Sequence, residues 1–529
     1  MPWTNFQEGP AAGQGAETVS NITALDIGDI IRNARAAQVL WAALPYGERA
    51  GKLRKARRRL CTHIDEIVET IHRENGKLRI DALAAEVLPA IMGIDYYIRR
   101  GRSFLKGRRL AGASPLMFNK RCRLEYRSWG VVGIISPWNY PFAIPFSEIV
   151  MALLAGNAVI FKAAGASTAV GRMLAELFAA AELPAGLFTQ VELPGAQAGP
   201  AFITGVDKLF FTGSTAVGRE LMALAAPRLL PLVLELGGAD AAIVRADADL
   251  DRAAAGILWA GYSNAGQSCG GVQRILVHRA VYTAFLEKLG ALVSALRPGW
   301  GEDAGLGPMT SLEQKERTEA QVARCLALGA RVAAQSPDYD AGGAGAGGSG
   351  ALNPFADRFT RAVLLCDVKP GMPVLEEEIF GPVTAVIPVE DDEEALRLAN
   401  DSPYGLTASV WSTDRRAASR LASRLNAGAV MLNDHLMSHG LAESPWGGFG
   451  DSGLGKTHGE PGFREMLNVK VIVDDILPGV KRNLWWQPYS EGVYRGIRSI
   501  AAFLAGPGLG SRLKAMPGVL KIFFRYWQR

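Results

Sequence analysis

Long apolar runs and paired cysteines are both missing from this sequence. No stretch of about 18 consecutive apolar residues occurs, so we expect no transmembrane helix. The five cysteines are widely scattered and none belongs to a CxxC pair, namely Cys61, Cys122, Cys269, Cys325 and Cys366. A disulfide framework is therefore not expected, and no metal site is predicted. Unpaired thiols are typical of a reducing compartment, which favours a cytoplasmic protein.

A charge excess is also missing from most of the chain. The net charge is +5, but residues 477–529 contain nine Lys or Arg and a single acid, Glu491. That segment has a net charge of +8, which leaves −3 for the rest. We therefore expect no nucleic-acid partner for the body of the protein. Residues 1–24 are polar and rich in Gly and Ala, which predicts a disordered lead-in and not a signal peptide.

Helical and strand-like patterns alternate through most of the chain. Residues 25–110 carry apolar side chains at helical spacing, which predicts amphipathic helices packed on a larger body. Short β-branched runs then predict strands buried on both faces. These strands are Gly130–Pro137, Ala158–Lys162, Lys208–Thr212, Ala241–Val244, Arg274–Val277 and Thr384–Ile387. With helices such as Ala169–Ala181 between them, the pattern predicts an α/β fold with parallel sheets and right-handed crossovers. The Gly/Ala tract Asp340–Ala351 predicts a flexible surface loop.

Four short segments contain residue types that suit covalent catalysis. Gly266–Cys269 (GQSC) offers a thiol, although such a cysteine is by itself more often structural. Pro137–Phe142 (PWNYPF) and Leu234–Gly238 (LELGG) precede it in the chain, and Glu377–Pro382 (EEIFGP) follows it.

In this order the four segments resemble those of the aldehyde dehydrogenase superfamily, and the resemblance covers about Asp26–Val473. Arg274, five residues after Cys269, also fits the family's cysteine signature, whereas Gly270 and Gly271 replace bulkier residues. The resemblance implies an NAD(P)-dependent enzyme of the non-phosphorylating, hydrolytic type. It also implies a Rossmann-like coenzyme domain, a second α/β catalytic domain and a small β oligomerisation arm.

The resemblance implies three catalytic residues. Cys269 is the expected nucleophile, because a thiolate attacks an aldehyde and later leaves from a thioester. Asn139 is the expected side-chain donor to the oxyanion, together with the backbone N–H of Cys269. Glu235 is the expected base for thioester hydrolysis, and its apolar neighbours predict a raised pKa.

The coenzyme site is predicted without the common G-x-G-x-x-G fingerprint, which is absent. Instead Phe211–Gly218 (FTGSTAVG) joins a strand to a helix, where Gly213 permits a tight turn and Ser214 can meet the pyrophosphate. By resemblance, Lys162 holds the adenine ribose. The family's acid three residues later is Gly165 here, so NAD and NADP both remain open. The resemblance assigns further cofactor contacts to three residues, namely Trp138, Glu378 and Phe380.

The expected domain order follows from these segments. It comprises a lead-in (1–24), a coenzyme domain (25–235, with an arm at about 117–130), a catalytic domain (236–433), an oligomerisation and tunnel segment (434–476) and a basic extension (477–529). Trp446–Gly453 and Gly459–Phe463 resemble the family's C-terminal segment. His435 and His439 are expected to be structural or tunnel-lining, and the arm implies a homodimer or tetramer.

The extension, residues 477–529, lies outside the resemblance. Val493, Ile497, Ile500, Ala501 and Leu504 recur at helical spacing, and a second helix is predicted to be interrupted by Pro517 and Gly518. Its apolar stripe comprises Leu513, Met516, Leu520, Phe523, Phe524 and Trp527. Three locations of the extension stay open: it packs on the body of the enzyme, it packs on a partner subunit, or it contacts an anionic membrane surface. In the last case the enzyme would be a peripheral protein at the inner face of a membrane. Membrane contact would favour an apolar or long-chain aldehyde.

Two other functions are weighed against this one. An acylating relative would pass the thioester to coenzyme A, but such enzymes generally lack the base at Glu235. A non-catalytic scaffold attached to membranes by its tail would have no physical need for Cys269, Glu235, Asn139 and Lys162 together. An enzyme that oxidises a small-molecule aldehyde to a carboxylic acid is therefore the preferred interpretation.

Overall fold

A computed structural model describes residues 24–112, 114–340 and 353–527. The predicted lead-in, apart from Ala24, and residues 341–351 of the predicted surface loop lie outside the described residues. None of the described helices is long and apolar enough to cross a membrane. The chain folds into two units: a larger one, up to Leu105 and from Arg127 to Asn468, and a smaller one, Lys106–Tyr126 and Val469 onward.

The α-helices are numbered in chain order. They are α1 (Ala24–Ala43), α2 (Tyr46–Thr62), α3 (Ile64–Asn75), α4 (Arg79–Ala82), α5 (Leu88–Phe104), α6 (Ala143–Ala155), α7 (Thr168–Ala179), α8 (Gly195–Gly205), α9 (Thr215–Ala225), α10 (Leu250–Tyr262), α11 (Arg279–Ala295), α12 (Leu312–Ala327), α13 (Pro373–Glu376), α14 (Asp392–Asn400), α15 (Arg415–Ala422), α16 (Met437–Gly440), α17 (Gly459–Glu465), α18 (Glu491–Ala505) and α19 (Leu509–Phe523).

The β-strands are numbered in the same way. They are β1 (Arg108–Leu110), β2 (Lys120–Ser128), β3 (Val131–Ile135), β4 (Ala158–Lys162), β5 (Phe188–Gln190), β6 (Lys208–Thr212), β7 (Leu232–Glu235), β8 (Asp240–Val244), β9 (Val272–His278), β10 (Arg331–Gln335), β11 (Val363–Cys366), β12 (Val383–Val389), β13 (Tyr404–Gly405), β14 (Thr407–Trp411), β15 (Ala429–Leu432), β16 (Phe449–Gly450), β17 (Gly453–Leu454) and β18 (Leu467–Asp475).

The first of two large sheets in the larger unit has the strand order β17-β7-β6-β3-β4-β5. Its strands are parallel except β17, which pairs antiparallel with β7. Every residue of β3, β4 and β6 is buried, as expected for strands covered on both faces. The predicted strands and the helix after β4 are confirmed. Because parallel strands end at one edge, β4, β6 and β7 bring Lys162, Thr212 and Glu235 to the same side of the sheet.

The second large sheet has the order β10-β11-β12-β9-β8-β14-β15, and only β10 runs antiparallel. The predicted strands β8, β9 and β12 are adjacent or nearly so in this sheet, which confirms the second α/β region. Its core is formed by apolar residues of β8, β9 and α10, with Trp411 fully buried among them. The loop that carries Cys269 connects α10 to β9.

The smaller unit contains a three-stranded sheet, β1-β2-β18, and the helix pair α18 and α19. Gly496 of α18 lets the helices approach closely, since a Cβ there would lie 2.6 Å from Ile522. The interruption predicted at Pro517 is wrong, because α19 continues through that proline. Close packing of Gly518 on Ser499 offsets the lost backbone hydrogen bond, so tertiary contacts override the local preference. The buried residues of α19 are Ala515 and Ile522, whereas most of the predicted apolar stripe is exposed.

Candidate active site

Cys269 lies in a loop whose backbone is unusually constrained. Asn264, Ala265 and Gly266 have consecutive positive φ angles of 52°, 53° and 67°. For non-glycine residues this region is uncommon and costs roughly 1–3 kcal/mol each. A Cβ at Gly266 would collide with the carbonyl of Gly381. The side chain of Gln267 ties the loop down, donating to the Asn264 carbonyl at 2.9 Å and accepting from Thr310 N at 2.9 Å.

Asn139 is directly tied to this loop. Its Nδ2 donates to the Gln267 carbonyl at 3.1 Å, and its own carbonyl accepts from Asn264 Nδ2 at 3.1 Å. The side chain is buried, with 3% exposure. The structure therefore brings the predicted oxyanion donor and the Cys269 loop together.

A buried ion pair holds the Asn139 segment from the other side. Lys77 and Glu86, whose side chains are fully inaccessible, bond to each other, and Lys77 Nζ donates to the Asn139 carbonyl at 2.7 Å. Glu86 Oε2 accepts from Phe142 N at 2.7 Å. The Lys77 ammonium also lies 4.2 Å from the centre of the Tyr140 ring. The pair thus holds the segment Pro137–Phe142 at its middle and at its end.

Glu235 ends β7 in an apolar environment. It is 4% exposed, and among the described residues neither carboxylate oxygen has a hydrogen-bond partner. Burial raises its pKa well above the usual range, and the charge of buried Glu148 raises it further, while Lys456 opposes the rise. The predicted direction of the pKa shift is confirmed. Such a carboxyl can accept a proton at a pH where ordinary carboxylates cannot.

The Cys269 thiol is partly buried and surrounded by acids. Burial raises its pKa, and the carboxylates of Glu378, Asp240 and Glu235 raise it further. Glu235 and Glu378, two other predicted site residues, are therefore close enough to Cys269 for their charges to affect its thiol.

Three residues predicted to contact the coenzyme form one group. Trp138 and Phe380 meet edge to face with their ring centres 5.4 Å apart. Glu378 Oε1 accepts from Gly238 N at 3.1 Å, and burial raises its pKa to about 7. Phe380 has a φ of 54°, a strained value for an aromatic residue, and its carbonyl accepts from Gln314 Nε2 at 3.1 Å.

Lys162, Gly213 and Ser214 lie at the carboxyl edge of the first sheet. Burial lowers the pKa of Lys162, and no described carboxylate lies close enough to oppose this. A Cβ at Gly165 would meet open space. Ser214 caps α9, accepting from Val217 N at 3.4 Å. Gly213 stands at the bend between β6 and α9, where the ring of Phe211 leaves no room for a Cβ.

A small cavity lies beside the start of α6. It is lined by Pro89, Gly93, Ala143, Ser147, His439, Gly440, Ala442 and His458. The His439 ring lies 5.0 Å from that of Trp446, whose edge packs on Gly270, and 6.0 Å from that of Tyr140. Tyr140 in turn bonds the side chain of Ser268, the residue before Cys269. His439 lines this cavity and His435 is fully buried, and their predicted structural or tunnel-lining roles stay predictions.

Comparison with known proteins agrees with this arrangement. The profile of the aldehyde dehydrogenase family matches residues 7–472. A 4,4'-diapolycopene aldehyde oxidase from Methylomonas sp is 36% identical over 479 residues, 90% of this chain and 86% of that protein. The chain belongs to the aldehyde dehydrogenase family. It is therefore an NAD(P)-dependent enzyme that oxidises aldehydes.

Solved structures of the family agree with the fold. An aldehyde dehydrogenase from Bacillus cereus, solved with NAD+, has a TM-score of 0.78 and 29% identity, covering 86% of this chain and 89% of that one. An NADP-dependent enzyme from E. coli also has a TM-score of 0.78, with 30% identity, covering 85% of this chain and 90% of that one. The α/β architecture of this aldehyde dehydrogenase is thus the family's.

Several residues that shape the site escaped the sequence reasoning. Lys77 and Glu86 lie in a segment whose sequence pattern predicts only amphipathic helices. No neighbouring residue distinguishes them from charged residues on the surface. Gln273 accepts from Ile379 N at 2.9 Å and donates to the Glu377 carbonyl at 2.7 Å, so it positions the segment that bears Glu378. A glutamine inside β9, a buried strand whose other residues are apolar apart from Arg274 and His278, was the available signal.

The buried ion pair generates a prediction. Replacing Lys77 with Met leaves Glu86 charged and buried without its partner, so the aldehyde dehydrogenase should lose about 3–5 kcal/mol of unfolding free energy. Chemical denaturation measures this, with Lys288→Met as the control, because Lys288 pairs with Asp251 at an exposed site and should matter little. Equal losses in the two variants would contradict the assigned role of the pair.

Proposed function

We propose that the enzyme oxidises an aldehyde to a carboxylic acid with NAD or NADP through a thioester on Cys269. The observation that supports this most is the buried, unpartnered carboxyl of Glu235 in the same charged environment as the Cys269 thiol. In this proposal the first large sheet belongs to the coenzyme domain, and the second belongs to the catalytic domain.

The first step is attack of the Cys269 thiolate on the carbonyl carbon. A carbon–sulfur bond forms, and the carbonyl oxygen becomes the oxyanion of a thiohemiacetal. Asn139 Nδ2 has two hydrogens, of which one is used by the Gln267 carbonyl and the second is available to the oxyanion. Loss of one such donor typically lowers the rate by about 10²–10³.

The residues at the carboxyl edge of the first sheet suit a dinucleotide. Lys162 supplies a buried ammonium with no acidic partner among the described residues, Gly165 leaves open space, and Ser214 stands at the N-terminus of α9. Glu378 and the Trp138–Phe380 pair would position the nicotinamide end. When bound, NAD or NADP would accept the hydride that leaves the thiohemiacetal carbon.

Hydrolysis of the thioester is assigned to Glu235. Its carboxylate takes a proton from water, whose oxygen adds to the thioester carbon, and the carbon–sulfur bond then breaks to return the thiolate. This step distinguishes the proposal from transfer to coenzyme A, which needs no such base. A raised pKa means that hydrolysis weakens as pH falls through that pKa, because the carboxyl then already holds a proton.

A burst experiment tests this assignment. Glu235→Gln should release about one equivalent of NAD(P)H per site rapidly and then turn over at least about a hundredfold more slowly than the wild type. Stopped-flow absorbance measures both phases, and Cys269→Ala should give no burst. Wild-type turnover to free acid by Glu235→Gln would contradict the proposed base.

We further propose that the substrate is an apolar aldehyde and that the enzyme binds it at an anionic membrane surface. The helices α18 and α19 and the turn that follows them expose large apolar side chains, among them Leu513 at 54%, Leu520 at 59% and Phe524 at 66%. The exposed cations Lys514 and Lys521 stand among them. Apolar residues flanked by cations suit the interface of an anionic bilayer. The name of the Methylomonas relative, a diapolycopene aldehyde oxidase, also favours an apolar substrate.

Vesicle sedimentation tests the membrane contact. Full-length enzyme should sediment with phosphatidylserine-containing vesicles, less so at high salt, and a Leu513→Ser/Leu520→Ser/Phe524→Ser variant should remain in solution. The control, Met222→Ser/Leu224→Ser, alters apolar residues of α9 that are also exposed, at 43% and 41%, and should sediment like the wild type. Equal sedimentation of all three would remove the proposal.

A homodimer or tetramer is proposed from the exposed edge strand β18. Val469, Val471 and Val473 lie on one face of this strand and are 52–60% exposed. A sheet edge with apolar side chains is a template for association with a second copy. Light scattering should give a dimeric or tetrameric mass that falls to the monomer in Val471→Lys; a monomeric wild type would contradict the proposal.

A further inference from the structure

Three buried polar side chains behind Cys269 have no role in the mechanism above. Asp240 begins β8, Thr407 begins the adjacent strand β14, and His435 follows β15. Their exposed fractions are 2%, 3% and 0%. Burial of polar groups is costly unless they bond to one another, which these do.

The contacts converge on one carbonyl oxygen. Thr407 N donates to Asp240 Oδ1 at 3.0 Å, and Thr407 Oγ1 lies 2.7 Å from Asp240 Oδ2. His435 Nε2 lies 3.1 Å from Thr407 Oγ1 and 3.0 Å from the carbonyl oxygen of Gly270. Gly270 is the residue directly after the nucleophile.

Proton positions follow from the chemistry of these atoms. The Gly270 carbonyl can only accept, so His435 Nε2 carries the proton that bonds it. The single hydroxyl proton of Thr407 has two acceptors within reach, Asp240 Oδ2 at 2.7 Å and the Gly270 carbonyl at 3.2 Å, and the shorter contact is to Asp240. Burial lowers the pKa of His435 to about 4, so the ring is neutral. Accordingly, its Nδ1 is left without a partner among the described residues.

This chain of hydrogen bonds acts on the nucleophile in two ways. It fixes the carbonyl of Gly270, which belongs to the Gly270–Gly271 peptide, one peptide unit beyond Cys269. The loop has little spare room there, since a Cβ at Gly238 would collide with the Cys269 carbonyl. It also brings the charge of Asp240 close enough to raise the pKa of the Cys269 thiol.

We propose that Asp240, Thr407 and His435 are positioning residues that orient the Gly270–Gly271 peptide, directly after Cys269, and restrain the reactivity of the thiol. The proposal rests on the proposed role of Cys269 as nucleophile. The charged groups that face Asp240 are Arg274, whose charge favours its ionisation, and Glu378 and Cys269, whose charges oppose it. Burial raises the pKa of Asp240 to about 7, so its charge changes within the working range of an enzyme.

Alkylation of Cys269 by iodoacetamide tests the proposal on the full-length protein. The rate is followed against pH by mass spectrometry of the Cys269 peptide, which separates it from the other four cysteines. Asp240→Asn should move the midpoint to lower pH, because a negative charge beside the thiol is removed. Thr407→Val and His435→Asn should change the rate about fivefold, roughly the effect of one hydrogen bond.

Conservative variants separate positioning from general damage. Thr407→Ser keeps the hydroxyl, and His435→Gln keeps an N–H near the Nε2 position, so both should behave like the wild type. An unchanged midpoint in Asp240→Asn, or equal rates in His435→Asn and His435→Gln, would overturn the proposal. Alkylation needs neither aldehyde nor coenzyme, so its result stands or falls separately from the proposed oxidation.

Discussion

Three buried carboxyl groups around a single thiol form the constraint on which the site depends. Cys269 lies within reach of the charges of Glu378, Asp240 and Glu235, each in surroundings that disfavour ionisation. Desolvation therefore disfavours the charged form of all four groups at once, and raises the pKa of each. In the proposed mechanism, the same burial gives Glu235 the raised basicity that activation of water needs.

The scaffold holds this arrangement at some cost to stability. The left-handed residues Asn264 and Ala265 each store roughly 1–3 kcal/mol, and the buried pair Lys77 and Glu86 requires desolvation of two charges. Both features contact Asn139, because Lys77 and Asn264 each donate a hydrogen bond to its backbone carbonyl. Strain and buried charge are thus concentrated around Asn139, the proposed side-chain donor to the oxyanion, and the Cys269 loop.

Much of the fold and of the site was predictable from local patterns. The buried strands β3, β4 and β6 are short, mostly apolar runs, and two of the motif segments, Pro137–Phe142 and Leu234–Gly238, lie at the ends of the buried strands β3 and β7. The contacts of the buried Lys77–Glu86 ion pair with Asn139 and Phe142, and the hydrogen bonds of Thr407, were not predictable. They join residues that lie far apart in sequence. The continuation of α19 through Pro517 was not predictable for the same reason. Close packing of Gly518 on Ser499 of α18 outweighs the tendency of a proline to end a helix.

The central claim is that an acyl group is carried on Cys269 during turnover. Intact-protein mass spectrometry of the wild-type enzyme, quenched in acid while it oxidises a saturating aldehyde in the presence of NAD or NADP, tests it most directly. The proposed mechanism predicts a mass increase equal to the acyl group less one hydrogen, located on the Cys269 peptide after digestion. Turnover without any adduct in either wild type or a hydrolysis-deficient variant, or an adduct on another cysteine, would contradict it.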